Sequence, residues 1–346
     1  MSQPGNWREV ALPRNYCNGW AIWTRGREIE CRDAADVSEK IHDWLPQRAV
    51  LVGVPGSAFF VHPISVPQFS RMVRKSIARN VMFVLCAWAL VAGLFYLLGA
   101  LYREVNITAI GTLCFLLGLV TIADYRKFLR FDKWITERAQ FFYWFYTSRA
   151  VRAGFFFWLA VGVIAGGAQL IVQFLNGGME GAFNIYGMMY PRVHDGEWWR
   201  LLTGPFLHYS VTHFTINVAM LLLGGSLAWG LIGSSSISVF VLGNIFGVYA
   251  QMTWGSTLYD NCGGMSAGVF ALFAYVIASA LRDRKLLPNG FVMQIGTILF
   301  AGGMFSELFS ISSATTGHVA GTIAGLACGL LDLPRLGWAV HQKGTD

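Results

Sequence analysis

Four side chains in this sequence have the types and spacing for acyl transfer: Ser266, His318, His213 and Asn217. A serine that passes its proton to a neutral imidazole becomes a nucleophile. Attack on a peptide carbonyl then develops an oxyanion, which needs donors already in place. An imidazole N–H, an Asn amide and a backbone N–H at the start of a helix would supply them. His213 and Asn217 are four residues apart, so both point the same way from one helix. Gly264 lets the backbone turn sharply ahead of Ser266. Gly268 is expected to let the Ser266 helix approach the helix that carries His318. Glu307 is the only acidic residue between 286 and 331 and sits near the end of its apolar run, so the reading is a Ser–His dyad.

Each piece has a plainer explanation when taken alone. A serine in an apolar helix commonly bonds back to its own backbone, and a histidine with an asparagine four residues on can be interhelical glue. Small Gly/Ser clusters recur at Gly224-Gly225-Ser226 and Gly233-Ser234-Ser235. A zinc site of His208, His213, Cys262 and His318 is conceivable but lacks the helical His pair at i, i+4. What favours the dyad is that the pieces fall at one depth, as the helices themselves imply.

The elements that must hold these groups are transmembrane helices. The chain has 346 residues, 55% apolar and 13% charged, with a mean hydropathy of +0.49. Soluble domains average about 25% charged. Val81–Tyr102 is free of charge and would be about 33 Å long as a helix, enough to cross a hydrocarbon core of about 30 Å. Further spans are expected at Val105–Ala123, Ala153–Leu175, Gly204–Trp229, Ile237–Gly255, Ser266–Leu281, Phe291–Ser306 and Gly317–Leu331. In the last of these Gly317, Gly321, Gly325 and Gly329 line one face, a bare stripe on which another helix can pack closely.

Net charge of +7 follows topology rather than a nucleic-acid partner. Arg71, Arg74, Lys75 and Arg79 precede the first span. Arg126, Lys127, Arg130, Lys133 and Arg138 follow the second, Arg282, Arg284 and Lys285 the sixth, and Arg335 and Lys343 the eighth. The positive-inside rule then places both termini in the cytoplasm. The spans that start near His213, Ser266 and His318 all descend from the outer side, so the four groups lie at similar depth. Six cysteines show no paired spacing, and no disulfide framework is expected. The first apolar run begins only near residue 81, so no cleavable signal peptide is read.

The chain divides into a small cytosolic α/β module over 1–70, two accessory spans with an interfacial segment over 71–152, a helical core over 153–333 and a tail over 334–346. In the module, Asp33 can cap a helix bearing Val37, Ile41 and Trp44 on one face before Pro46. Strands are expected at Trp20–Thr24, Ala49–Val54 and Ala58–Val61. The aromatic run from Phe141 to Tyr146 suits the headgroup level of a bilayer.

Residues 153–333 resemble the rhomboid intramembrane serine proteases, with the elements in the same order. Glu197-Trp198-Trp199-Arg200 resembles the family's Trp-Arg motif, and His208 through Asn217 its H-x₄-H-x₃-N signature. Gly264-Met265-Ser266 resembles its G-x-S motif, and the Gly317–Gly325 segment its base-bearing last core helix. The resemblance implies Ser266 as nucleophile and His318 as general base. It implies an oxyanion hole from His213, Asn217 and the Ser266 backbone N–H. It places Trp199, Arg200 and His208 in supporting roles, with Gly264, Gly268, Gly321 and Gly325 as close-packing positions. Phe270 would pack on the base, where some members have tyrosine, and Ala267 replaces a usual glycine. Ile216 and Phe300 would flank a lateral gate for substrate.

The expected protein is therefore an all-α polytopic membrane protein: a six-helix rhomboid-like bundle, two N-terminal spans and a small soluble α/β module. Its expected activity is intramembrane serine endopeptidase, acting on transmembrane protein substrates in the lipid bilayer of a bacterial inner membrane. No metal, cofactor or nucleic acid is called for. The rival readings are a catalytically weak, client-binding relative and a proton-coupled transporter. The first would lack Ser or His, and the second would show inverted repeats and more ionisable groups in its spans.

Overall fold

Alternating apolar residues build the N-terminal part of the protein. The computed structural model describes residues 14, 18–24, 27–41, 50–102, 105–130, 132–255, 260–288, 290–297, 299 and 314–331. They fall into two compact units, one of Asn6–Thr147 with Leu287–Phe291, the other mainly of Ser148–Leu286 and Val292–Asp346.

The first unit contains strands β1 (Trp20–Thr24) and β2 (Arg27–Cys31), helix α1 (Ala34–Ile41), then β3 (Val50–Gly53) and β4 (Phe60–Val61). The strands form one antiparallel sheet in the order β2-β1-β3-β4. Successive side chains of a strand point to opposite faces. Ile22 and Val52 accordingly join Val37 and Ile41 of α1 on one face, while Ala21, Leu51 and Phe60 line the other. Asp33 does cap α1, its Oδ1 accepting the Asp36 N–H at 2.8 Å. Trp44 and Pro46 lie outside the described residues. β2 was not anticipated: its sequence Arg-Glu-Ile-Glu-Cys is mostly exposed at a sheet edge, so it lacks an apolar signal.

Helix α2 (Pro67–Tyr102) has 36 residues. Its first turns place Phe69, Val73 and Ile77, four residues apart, in the same core as Ile22 and Val52. Beyond Val81 it exposes Phe83, Leu90, Leu94 and Leu101, the surface expected of a helix in lipid. Helix α3 (Val105–Arg130) packs along it, with the Tyr96 hydroxyl 3.0 Å from Thr112 Oγ1. Helix α4 (Asp132–Thr147) carries the aromatic run. Part of that run packs within the unit: Tyr143 lies on the Ala21/Leu51/Phe60 face, and Phe141 meets Phe291 edge-on at 4.8 Å. The aromatic rings there serve a core as well as a surface.

The second unit begins with α5 (Arg149–Leu175), capped by Ser148. Between it and the next long helix lie α6 (Met179–Tyr186), strand β5 (Met188–Met189), α7 (Tyr190–His194) and α8 (Arg200–Thr203). Then come α9 (Val211–Ile232), α10 (Ser235–Trp254), strand β6 (Asn261–Cys262), α11 (Ser266–Arg282) and α12 (Thr315–Leu331). α9 starts seven residues later than the span expected from Gly204. Pro205 interrupts the backbone, and Ser210 is the true cap, its Oγ accepting the His213 N–H at 3.1 Å. Four described helices, α2, α5, α9 and α10, are long and apolar enough to cross a membrane, and α11 and α12 are shorter apolar helices. The Phe291–Ser306 span is helical over 291–297 and otherwise lies largely outside the described residues, as does the 334–346 tail.

α11 is the central helix of this unit. Twelve of its residues are buried, and it packs against α9, α10 and α12, while α5 lies along α9. A helix that is apolar on all sides is a buried helix. That placement puts Ser266, at its first turn, inside the bundle.

Candidate active site

Ser266 is the first residue of α11, so its backbone N–H is among those that a helix leaves without an intrahelical acceptor. Its Oγ lies 2.7 Å from Nε2 of His318, near the start of α12. His318 is 6% exposed. Phe270, one turn into α11, lies flat on the imidazole, with ring centroids 4.6 Å apart and planes 5° from parallel. The phenyl face thus packs directly on the imidazole.

The turn before Ser266 brings in the second imidazole. Gly264 has φ +104°, and a Cβ there would lie 2.6 Å from Cε1 of His213. Side-chain-free backbone therefore rests directly on the His213 ring. Asn217 is buried, and its Nδ2 donates to the His213 carbonyl at 3.0 Å. A primary amide has two N–H groups, so one bond orients the side chain and a second donor remains for another acceptor. Ile216, one step along, is exposed. Phe300 lies outside the described residues, and with it the pairing expected across a gate.

From Gly321 onward the glycine stripe of α12 is filled from α11, though not where expected, while Gly317 rests on Gly247 of α10. A Cβ at Gly321 would strike the carbonyl oxygen of Ala267, and one at Gly325 that of Ala271. Gly268 does not face this stripe. It faces α10, where a Cβ would sit 2.6 Å from the Phe240 carbonyl and against the Asn244 amide. Gly268 is one residue beyond Ala267, hence about 100° around the helix. Ala267 instead puts its own Cβ against Gly247 of α10.

Trp199, Arg200 and His208 lie in the segment between α5 and α9. Arg200 is 1% exposed and donates to the carbonyls of Gly187 at 2.7 Å and Asn184 at 3.1 Å, with Glu197 Oε2 at 2.6 Å. Its guanidinium also stacks over Trp199. One side chain of α8 thus holds the C-terminal end of α6 and the turn after it. His208 is fully buried, its Nδ1 3.1 Å from the Phe206 carbonyl, and burial pushes its pKa down to about 3, so the ring is neutral. Its ring lies 5.1 Å from that of His213. Gln169 of α5 brackets its backbone, accepting the N–H at 3.0 Å and donating to the carbonyl at 2.8 Å. Gln169 was missed from sequence; a glutamine in an otherwise apolar helix was the available signal.

Burial pushes the Cys262 thiol up to about 12, far from a thiolate. Among the described residues no three His, Cys, Asp or Glu side chains converge, so the set His208, His213, Cys262 and His318 does not form a metal cage. The long apolar helices of both units make this an integral, polytopic and mostly helical membrane protein.

Residues 195–335 match the family model described as the Rhomboid domain. The rhomboid protease GlpG of Salmonella typhimurium is 32% identical over 142 residues, covering 39% of this chain and 49% of that protein. The GlpG proteins of Salmonella typhi and Salmonella dublin match to the same extent. The chain thus carries a Rhomboid-domain match over residues 195–335, and it spans about half the length of the curated relatives it matches.

Proposed function

We propose that the protein is an intramembrane serine endopeptidase that cleaves transmembrane or juxtamembrane segments of other membrane proteins. The 2.7 Å contact between Ser266 Oγ and His318 Nε2 carries this reading, and the relatives it resembles are named as proteases. Ser266 adds to the scissile carbonyl while its proton passes to His318 Nε2. The new oxyanion is met by the Asn217 amide, the His213 ring and the Ser266 backbone N–H. His318 returns the proton to the leaving amine as the C–N bond breaks. Water then attacks the acyl-enzyme by the reverse proton path, and Ser266 is regenerated.

The seryl oxygen begins below the membrane surface, so water must enter through a polar cavity. A substrate helix must unwind to offer a carbonyl, which favours Gly, Pro or polar residues at the cleavage point. Entry is sideways, past Ile216, with Phe300 as the opposing residue. Both termini face the cytoplasm of a bacterial cell in this scheme. The test is labelling by a fluorophosphonate probe together with cleavage of a transmembrane substrate. Wild type is labelled and cleaves. Ser266→Ala and His318→Ala each lose cleavage about as completely as the double variant, as members of one catalytic unit do. Full proteolysis by Ser266→Ala would end the proposal.

A further inference from the structure

Helix α10 carries two buried side-chain amides, Asn244 and Gln251, which are 4% and 6% exposed. They are two helical turns apart and so leave the same face. Asn244 Oδ1 accepts the backbone N–H of Gly268 at 3.0 Å, and Gln251 Oε1 accepts that of Gly317 at 3.0 Å. A backbone N–H only donates, so the accepting atom in each amide is its carbonyl oxygen. Gly268 is the third residue of α11, two beyond Ser266. Gly317 is the third residue of α12, one before His318. Both belong to the first-turn N–H groups that a helix cannot satisfy itself.

Between the two amides sits Gly247. A Cβ there would lie 2.9 Å from the Gly317 carbonyl and collide with the Ala267 Cβ. One short stretch of α10 therefore touches the heads of both site-bearing helices, and the missing side chain lets its amides reach them.

We infer that Asn244 and Gln251 are positioning residues that set the axial register of Ser266 against His318, an inference that rests on the dyad proposed above. α11 and α12 meet through Gly321 and Gly325 against Ala267 and Ala271, small groups that resist sliding weakly. A helix rises about 1.5 Å per residue. A slip of one residue would thus carry a 2.7 Å contact beyond hydrogen-bond reach. Caps supplied from each helix's own preceding loop, as Ser210 supplies for α9, would stabilise each end separately. Two acceptors on one third helix fix both ends to a common ruler.

The experiment compares Asn244→Leu, Gln251→Met and the double variant with wild type in detergent or vesicles. Fluorophosphonate titration counts reactive sites, and turnover of a transmembrane substrate is expressed per reactive site. Each single variant should retain its reactive sites but lose about 10- to 100-fold in kcat with little change in KM, as a misplaced reacting pair does. Ser266 labelling should slow in parallel. Asn244→Asp and Gln251→Glu, which keep the accepting oxygen, should recover most of the rate. A merely structural role gives a smaller reactive fraction with wild-type kcat per site, and that result would overturn the inference. So would slow acceptor-keeping variants. If wild type is unlabelled, or Ser266→Ala cleaves normally, it is the protease reading that fails instead.

Discussion

At Gly264 two demands fall on one residue. Its φ of +104° is a conformation that L side chains rarely adopt, and its missing Cβ is where the His213 ring lies. Gly264→Ala should therefore distort the turn that presents Ser266 and push His213 aside together. Strained backbone of this kind costs about 1–3 kcal/mol. We expect turnover to fall at least about 100-fold, the order set by losing one oxyanion donor, with a melting temperature lowered by only a few degrees. Wild-type turnover would show that the turn does not act on His213. His62, in the N-terminal unit, makes a second residue-scale prediction. It is buried, its Nδ1 accepts the Ile64 N–H at 3.2 Å, and burial lowers its pKa from 6.5 to about 3. Between those values the unfolded chain binds the extra proton, so stability is full above about pH 6.5 and declines as pH falls toward 3. Hydrogen exchange of β1 and β3, corrected for intrinsic rates, should show protection weakening between pH 7.5 and 5. His62→Asn, which keeps a local acceptor, should flatten that dependence; an unchanged slope would assign it to another group.

At the scale of the element, α12 is the clearest case of sequence pattern becoming packing. Gly321→Leu should wedge the helix off the Ala267 carbonyl, ending activity and lowering thermal stability together. Overpacking of this kind costs about 1–3 kcal/mol or more. A folded, active Gly321→Leu protein would show that the helices tolerate separation there. The stripe was legible because four glycines at a four-residue period need no knowledge of the partner. Its partner surface was not. Gly268 looked like the matching small residue, but it and the Ala267 Cβ both face α10, and the stripe meets the Ala267 and Ala271 carbonyls instead, a choice that only the helix rotation decides. Ser266, His318, His213 and Asn217 were legible by chemical type, since polar groups in apolar helices are costly and few. Asn244, Gln251 and Gln169 are equally polar and were overlooked, because amides serving backbone N–H groups carry no reactive signature. Arg282 likewise looked like a topology charge, yet its Nη1 donates to the Gly329 carbonyl at 2.9 Å, holding the far end of α12 to α11. β2 stayed hidden because only one of its five residues, Cys31, is buried at the sheet edge.

At the scale of the whole molecule, all the residues placed in the proposed site and its anchors belong to the unit that starts at Ser148. A chain beginning at Ser148 should keep fluorophosphonate labelling of Ser266 at a rate comparable to the full chain. Loss of labelling in a folded preparation would make the first 147 residues part of the catalytic machinery. The N-terminal unit has its own logic, and it lies in α2. That helix starts inside the module core at Phe69 and ends, without a break, among exposed leucines near Leu101. At 1.5 Å per residue its 36 residues span about 54 Å, more than a bilayer's hydrocarbon core of about 30 Å. A mast stepped this way has no swivel. A thinner bilayer that tilts the apolar end must tip the sheet by the same angle, and a ligand that grips the sheet must in turn lean on the lipid.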